Sequence, residues 1–433
     1  MKHIFLMAIA FATLCLSNNP VREMSRQKNN NQNSVLMIIV DDWSQYEIEE
    51  NNLVMPNLDS FISQGAMFTD MNSHPTCSPT RLSMNFGLMV TRTLGNACQG
   101  ILPDRTLTVD ELTRPTLPRI FTQIGYKTSI HGKLHFGTTF FHTQSDDFKY
   151  IAKLIGYNTV RSGISTNIRN DCVANNLDHF RWQEINDDVV AITNEYATSK
   201  IVNSVITRKS EIGNDPFFIV ASLNDAHGPF YNPPVNWLPP GYVIPSPPSL
   251  RDNYEAMMGA ADTAIGILVN NIDLEKTLVI IMGDNGTPSD TVAPGHLVSH
   301  SKRTLFEDAI NVPFIMLGAG IPEGITINDT VSVSDIMATL ADYVNQDVKT
   351  HGESFLPTLN GSRFTRSYVH VMTAGGDRAI KTQRYKLMRF VEDGSEVLYD
   401  LELDPDELMP LDPNDFPGVT PKLHSYFDEV DAL

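Results

Sequence analysis

Cysteine is scarce in this chain: 4 residues in 433. That excludes a small scaffold stapled by disulfides, which needs several bridges in a short chain. Positive charge is scarce too. Lys and Arg number 32 against 51 Asp and Glu, a formal charge of −19. A nucleic-acid binder usually carries a basic face, so nucleic acid is not an expected partner. Broad electrostatic capture of polyanions is excluded on the same ground. An anionic substrate must rely on a few local cations. Past the first residues, no apolar run is long enough for a membrane span. Several familiar motifs are missing as well. There is no G-x-S-x-G elbow. His131 and His135 stand at i, i+4, but the Glu of H-E-x-x-H is absent and Gly132 disfavours the helix that motif needs. Between Gly125 and Lys133 the glycine spacing departs from a P-loop, and Leu134 replaces its Ser or Thr. No internal repeat is visible.

What is present fits a soluble globular protein, with 42% hydrophobic and 19% charged residues. The length suits one large domain plus a smaller one. At the N-terminus, Lys2 and His3 precede an apolar run over 4–16, followed by small and polar residues. This is a signal-peptide pattern over 1–17, too short to span a membrane as a helix. The polar stretch after it, 18–33, reads as a disordered linker. The protein is therefore expected to be secreted or periplasmic, or lysosomal if eukaryotic. Cys15 falls inside the signal, with bulky Leu14 before it arguing against a lipid anchor. Export leaves Cys77, Cys98 and Cys172. One disulfide between Cys98 and Cys172, or three buried thiols, both remain open.

Several apolar runs end in polar chemistry. VLMIIV (35–40) runs into Asp41-Asp42, and TLVIIM (277–282) into Gly283-Asp284-Asn285-Gly286. FFIVASL (217–223) runs into Asn224-Asp225-Ala226-His227, and YKTSI (126–130) into His131-Gly132-Lys133-Leu134-His135. VPFIML (312–317) is a fifth run, ending in glycines. Unbroken apolar strands are buried on both faces. LPRIFTQIG (117–125) and YEAMMGAADTAIGILVNNI (254–272) repeat apolar residues at helical spacing. The alternation predicts an α/β fold: a large, mostly parallel sheet sandwiched by helices. Ligands in such sheets bind at the carboxyl ends of the strands. Singly, each polar strand end is a turn or a cap. Together, four of them predict a shared site. Asp41, Asp42, Asp284 and Asn285 offer only oxygen, which suits calcium, with magnesium second, rather than zinc.

Two stretches remain. From 229 to 249 a proline-rich loop follows His227, read equally as functional or as a plain crossover. HPTCSPTRLS (74–83) places Cys77 in what reads as a short polar turn, with Arg81 four residues on. The segment Cys77-Ser78-Pro79-Thr80-Arg81 resembles the C-x-P-x-R signature of the type I sulfatases, the formylglycine-dependent, arylsulfatase-like family of the alkaline phosphatase superfamily. The resemblance extends along most of the chain. VLMIIVDD resembles the family's first strand and metal ligands, and MPNLDSFISQGAMFTD (55–70) the helix and strand before the signature. GYKTSIHGKLHFG (125–137) resembles the G-Y-x-T-x-x-x-G-K-x-H-x-G block, and His227-Gly228-Pro229-Phe230 the H-x-P-F block. GDNG and the segment 302–307 resemble the later metal and lysine blocks. IKTQRYKLMRF and LYDLELDPDE, within 380–407, resemble the C-terminal subdomain. There are departures. Asn85-Phe86-Gly87 stands where Leu-Thr-Gly is usual, Thr80 where Ser or Ala is commoner, and Glu307-Asp308-Ala309 where Glu-Gly-Gly is usual. The first bears on how efficiently the modifying enzyme recognises its target.

The resemblance implies an alkaline-phosphatase-like catalytic domain over 34–345 and a smaller C-terminal α+β subdomain with an antiparallel sheet over 346–433. It implies that Cys77 is oxidised to formylglycine by a formylglycine-generating enzyme. The hydrated aldehyde has two hydroxyls on one carbon. One attacks sulfur and displaces the alcohol; the other loses its proton, and collapse to the aldehyde releases sulfate. Asp41, Asp42, Asp284, Asn285 and modified Cys77 would bind calcium. Arg81 would hold the hydrated aldehyde, and Lys133 and Lys302 would neutralise sulfate oxygens. His135 would be the base that collapses the intermediate. His227 would contact sulfate and protonate the leaving alcohol, with Lys302 assisting. The substrate would be a sulfated carbohydrate or an aryl sulfate. A phosphate or phosphonate ester hydrolase of the same superfamily is the second reading. A non-catalytic carbohydrate-binding relative is the third, should Cys77 go unmodified.

Overall fold

The computed structural model describes residues 32–50, 53–89, 114–135, 151–164, 167–168, 177–364 and 366–433. The expected signal peptide, most of the linker, Cys15, Cys98 and Cys172 lie outside the described residues. Asn33, at the linker's end, is already held: its side-chain amide donates to Tyr343 Oη at 3.1 Å, and its carbonyl accepts from Tyr126 Oη at 2.8 Å.

Strand β1 (Ser34–Val40) is buried along its whole length. Its side chains alternate between two cores. Val35, Met37 and Ile39 enter one, while Leu36, Ile38 and Val40 enter the other. A period of two is what a strand covered on both faces requires. Helices supply the covers. Leu117–Gln123, Asp335–Tyr343 and Cys77–Phe86 pack on the first face. Pro56–Ser63, Ala197–Ile212 and Leu250–Asn270 pack on the second. The last begins four residues before the periodic run. Ser249 and Asp252 form a capping box there, satisfying backbone donors the run does not reveal.

The other strands are β2 (Gly65–Asn72), β3 (Lys127–Lys133), β4 (Thr159–Ile164), β5 (Trp182–Asn186), β6 (Val189–Thr193), β7 (Phe217–Ser222), β8 (Thr277–Gly283), β9 (Asn311–Gly318), β10 (Ile325–Ile327) and β11 (Val331–Ser332). The order is β10-β2-β9-β8-β1-β7-β3-β4-β5-β6, with β11 also on β2. From β8 through β1, β7 and β3 to β4 every pairing is parallel. Antiparallel β9 and the β5–β6 hairpin make the sheet mixed. The four polar strand ends all belong to the parallel centre, so they open on one edge.

A second sheet has β12 (Val369–Met372), β13 (Arg378–Lys381), β14 (Tyr385–Arg389) and β15 (Glu396–Asp400), all antiparallel. One face of it packs on the Thr420–Asp431 helix through Leu423, Phe427 and Val430. The other packs on Leu305, Ala309 and Ile310. Among the described residues no helix is long and apolar enough to cross a membrane.

Candidate active site

Parallel register assembles the first half of the site. Val40 pairs with Gly283, so Asp41-Asp42 and Asp284-Asn285 leave adjacent strands side by side. Asp42 adopts a left-handed turn, φ 58°, a conformation Asp tolerates better than most residues. Its N–H donates to Asp284 Oδ1 at 3.2 Å, and Asn285 Nδ2 donates to Asp42 Oδ1 at 2.7 Å. Gly286 lets the segment carrying Lys302 come close. A Cβ there would lie 2.0 Å from Asp308 O, so no larger residue fits without movement.

Cys77 is not in a turn. It opens the Cys77–Phe86 helix, with Pro79 in the first turn, where a missing N–H costs nothing. One turn on, Arg81 is 2% exposed. Its Nε donates to Asp284 Oδ2 at 2.8 Å. Its Nη1 donates to Lys133 O at 2.9 Å and to Ser222 Oγ at 2.5 Å. Cys77 Sγ lies 3.3 Å from Asp41 Oδ1, 3.4 Å from Lys133 Nζ and 3.6 Å from Lys302 Nζ. One ligand atom from each of Asp41, Asp42, Cys77 and Asp284 fits within 4.8 Å of the others. Lys133, at the end of β3, places its ammonium on Asp41, and Lys302 places its own on Asp42.

His135 follows β3 at φ 58°, buried, with neither ring nitrogen hydrogen-bonded. Half-buried His227 has Nδ1 2.7 Å from Gly228 O. His131 points elsewhere, between Ser204 Oγ at 2.7 Å and Ser129 Oγ at 3.0 Å. The i, i+4 histidines thus never share a site, because the strand and the left-handed turn separate them. The structure also brings in residues that no sequence motif marked. Tyr231 and Tyr196 donate to Asp225 at 2.6 and 3.2 Å, and Thr198 does so as well. His179 stacks on Tyr231 at 4.2 Å between ring centres and has Nε2 3.2 Å from His227 O. Asp225 stood at a polar strand end and was legible. His179 and the tyrosines had no local signal.

The electrostatics follow from burial against charge. Burial is the largest influence on the Asp41 carboxyl and pushes it up, but Lys133, His227 and Arg81 together hold it below the ordinary range. Burial, then Asp284 and Asp41, push the Cys77 thiol far up. Burial and four nearby bases, Lys133 foremost, hold His135 neutral. Burial, Lys302 and Lys133 take His227 down to about 3. Burial opposes the charge on Lys302, but Asp42 leads in keeping it above the usual ammonium value. The donor set fits a hard divalent cation. Three carboxylates converge, and Asn285 Oδ1 is a buried acceptor without a hydrogen-bond partner. A cleft of about 400 Å³ reaches this centre, lined by Asp42, His227, Lys302, Phe230, Asp290 and Arg303 among others.

A mixed, mostly parallel sheet with this site at its edge is the alkaline-phosphatase-like arrangement of a sulfuric ester hydrolase. A family model described as Sulfatase matches residues 33–346, and one described as N-sulphoglucosamine sulphohydrolase, C-terminal, matches 295–431. The chain belongs to the sulfatase family. A protein named Sulfatase from Formosa agariphila is 24% identical over 444 residues, covering 88% of this chain and 83% of its own length. The solved structure of Ps i-CgsB in complex with k-i-k-neocarrahexaose superposes with a TM-score of 0.74 at 18% identity, covering 92% of each chain. A structure in complex with its substrate D-glucosamine-2-N,6-O-disulfate superposes at 0.66 with 16% identity, over 93% of this chain and 98% of that one. At such identities these structures show a shared fold.

Proposed function

We propose that this sulfatase hydrolyses sulfate esters of carbohydrates or aryl alcohols, using formylglycine at position 77 and bound calcium. One observation carries the reading: Cys77 Sγ stands among Asp41, Lys133 and Lys302 at 3.3–3.6 Å, at a carboxylate cluster. A thiol so placed has little use as a thiol. A hydrated aldehyde in its place supplies a nucleophilic hydroxyl and a second one that permits release of sulfate. Calcium, held by Asp41, Asp42, Asp284, Asn285 and residue 77, supplies a positive field for oxygen anions. A saccharide substrate draws support from the sulfated glucosamine bound by one structural neighbour.

The chain's own residues divide the work. Lys133 and Lys302 flank the atom at 77 and neutralise sulfate oxygens as charge moves toward the leaving group. Arg81, locked by Asp284, Lys133 O and Ser222, keeps the end of side chain 77 in one position. His135, neutral and without a partner, takes the proton whose loss frees sulfate. His227 donates its Nδ1 proton to Gly228 O, so Nε2 bears one only as imidazolium. A bound sulfate raises its affinity for that proton, which then passes to the leaving alcohol with Lys302 as co-donor. The division at 345/346, export with loss of 1–17, a secreted, periplasmic or lysosomal location, and maturation by a formylglycine-generating enzyme belong to the same reading.

Sulfate release from sugar and aryl sulfates, followed by ion chromatography, tests the activity; paired aryl phosphates test the phosphate alternative. Chelation should abolish turnover and calcium should restore it, with about one ion bound per chain. Zinc at full occupancy, with activity tracking it, would overturn the metal assignment.

A further inference from the structure

Arg303, next to Lys302, lines the same cleft. Its φ is 82°, in the left-handed region that favours glycine. Two backbone bonds fix it there: Arg303 N to Pro75 O at 2.9 Å and Lys302 N to Thr287 O at 2.9 Å. A side chain in this conformation is strained, and such strain concentrates at ligand-contacting positions. The side chain kept there is an exposed cation, and among the described residues its guanidinium makes no hydrogen bond or ion pair. Among those residues no carboxylate engages it, although the chain has 51 acidic against 32 basic residues. Arg251, Arg366 and Arg384 all hold carboxylates. Even Asp290, which lines the same cleft, does not engage Arg303.

We infer that the substrate carries a second anionic group beside the scissile sulfate and that Arg303 holds it; this rests on the sulfate-ester reading of the site. A planar guanidinium matches a carboxylate or a sulfate by two parallel hydrogen bonds. Lys302 reaches inward to Asp42 while Arg303 stays exposed, so consecutive residues serve two depths of one cleft. Phe230 and Pro288 give apolar walls for a sugar ring. Asp290 repels an anion placed near it and accepts from hydroxyls, which fixes which way round the sugar lies.

The test compares kcat/KM for a monosulfated sugar, the same sugar with a second sulfate, and a monosulfated uronic acid, with 4-nitrophenyl sulfate alongside. Wild type should prefer one or both dianions. In Arg303→Gly that preference should fall about tenfold, mainly through KM, and Arg303→Lys should keep part of it. The melting temperature of Arg303→Gly should equal or exceed that of wild type, because glycine adopts this φ freely. Loss confined to the disulfate assigns a second sulfate, and loss confined to the uronic acid assigns a carboxylate; either supports the inference. Wild-type turnover without preference, or an equal loss on every substrate in Arg303→Gly, overturns it alone. Failure of wild type on all the sulfates defeats the sulfate-ester reading as well.

Discussion

At the scale of single residues, the site depends on groups whose ordinary chemistry has been suppressed. The Cys77 thiol stays protonated because burial and two carboxylates oppose its ionisation, so the unmodified side chain is a poor nucleophile. His227 is neutral for the opposite reason: burial and two ammonium groups oppose a further positive charge. Its contribution should then depend on the leaving group. His227→Ala should lower turnover of alkyl or sugar sulfates by roughly 10²–10⁴-fold, and that of activated aryl sulfates far less. Equal losses on both would reduce His227 to a sulfate contact.

At the scale of elements, the strand ends were readable because a central parallel strand is a continuous apolar run, and the first polar residue marks where it leaves the core. That is why Asp41, Lys133, His227 and Asp284 could be found without coordinates. Cys77 was misplaced because Pro79 looks like a turn signal, although in a first helical turn it is harmless. The second sheet hides its role better. Lys386, on β14, is buried and reaches Leu305 O at 2.9 Å, Glu307 at 2.8 Å and Glu407 at 2.6 Å. Lys381, on β13, reaches Asp70 and Glu307, each at 2.6 Å. Burial opposes ionisation of Glu307, yet the two lysines hold it down to about 2. In sequence these are surface-like charges; in the fold they pin the segment that carries Lys302. Lys386→Met leaves buried Glu407 without its cation and Glu307 with Lys381 alone. It should cost roughly 3–5 kcal/mol and lower kcat, with Lys386→Arg recovering part of each. An unchanged urea midpoint would show that the pair network does not hold that segment.

At the scale of the whole molecule, buried histidines set the acid limit. His131, His74 and His179 are each held near 3, chiefly by burial. In the unfolded chain they titrate near 6.5. Between those values the unfolded state binds more protons, so their contribution is complete above about pH 6.5 and is lost as pH falls toward 3. Melting temperature should therefore fall steadily below about pH 6.5, and His131→Asn should flatten the slope. An identical slope in that variant would acquit His131. The sequence could not show this, because a histidine on an apolar strand does not reveal which serines will face it. The most direct measurement is mass spectrometry of the peptide spanning residue 77 in a fully active preparation. Formylglycine should be found there, in proportion to activity, and Cys77→Ala should lose nearly all turnover. Free cysteine alone at 77, with alkylation leaving turnover intact, would contradict the proposed chemistry.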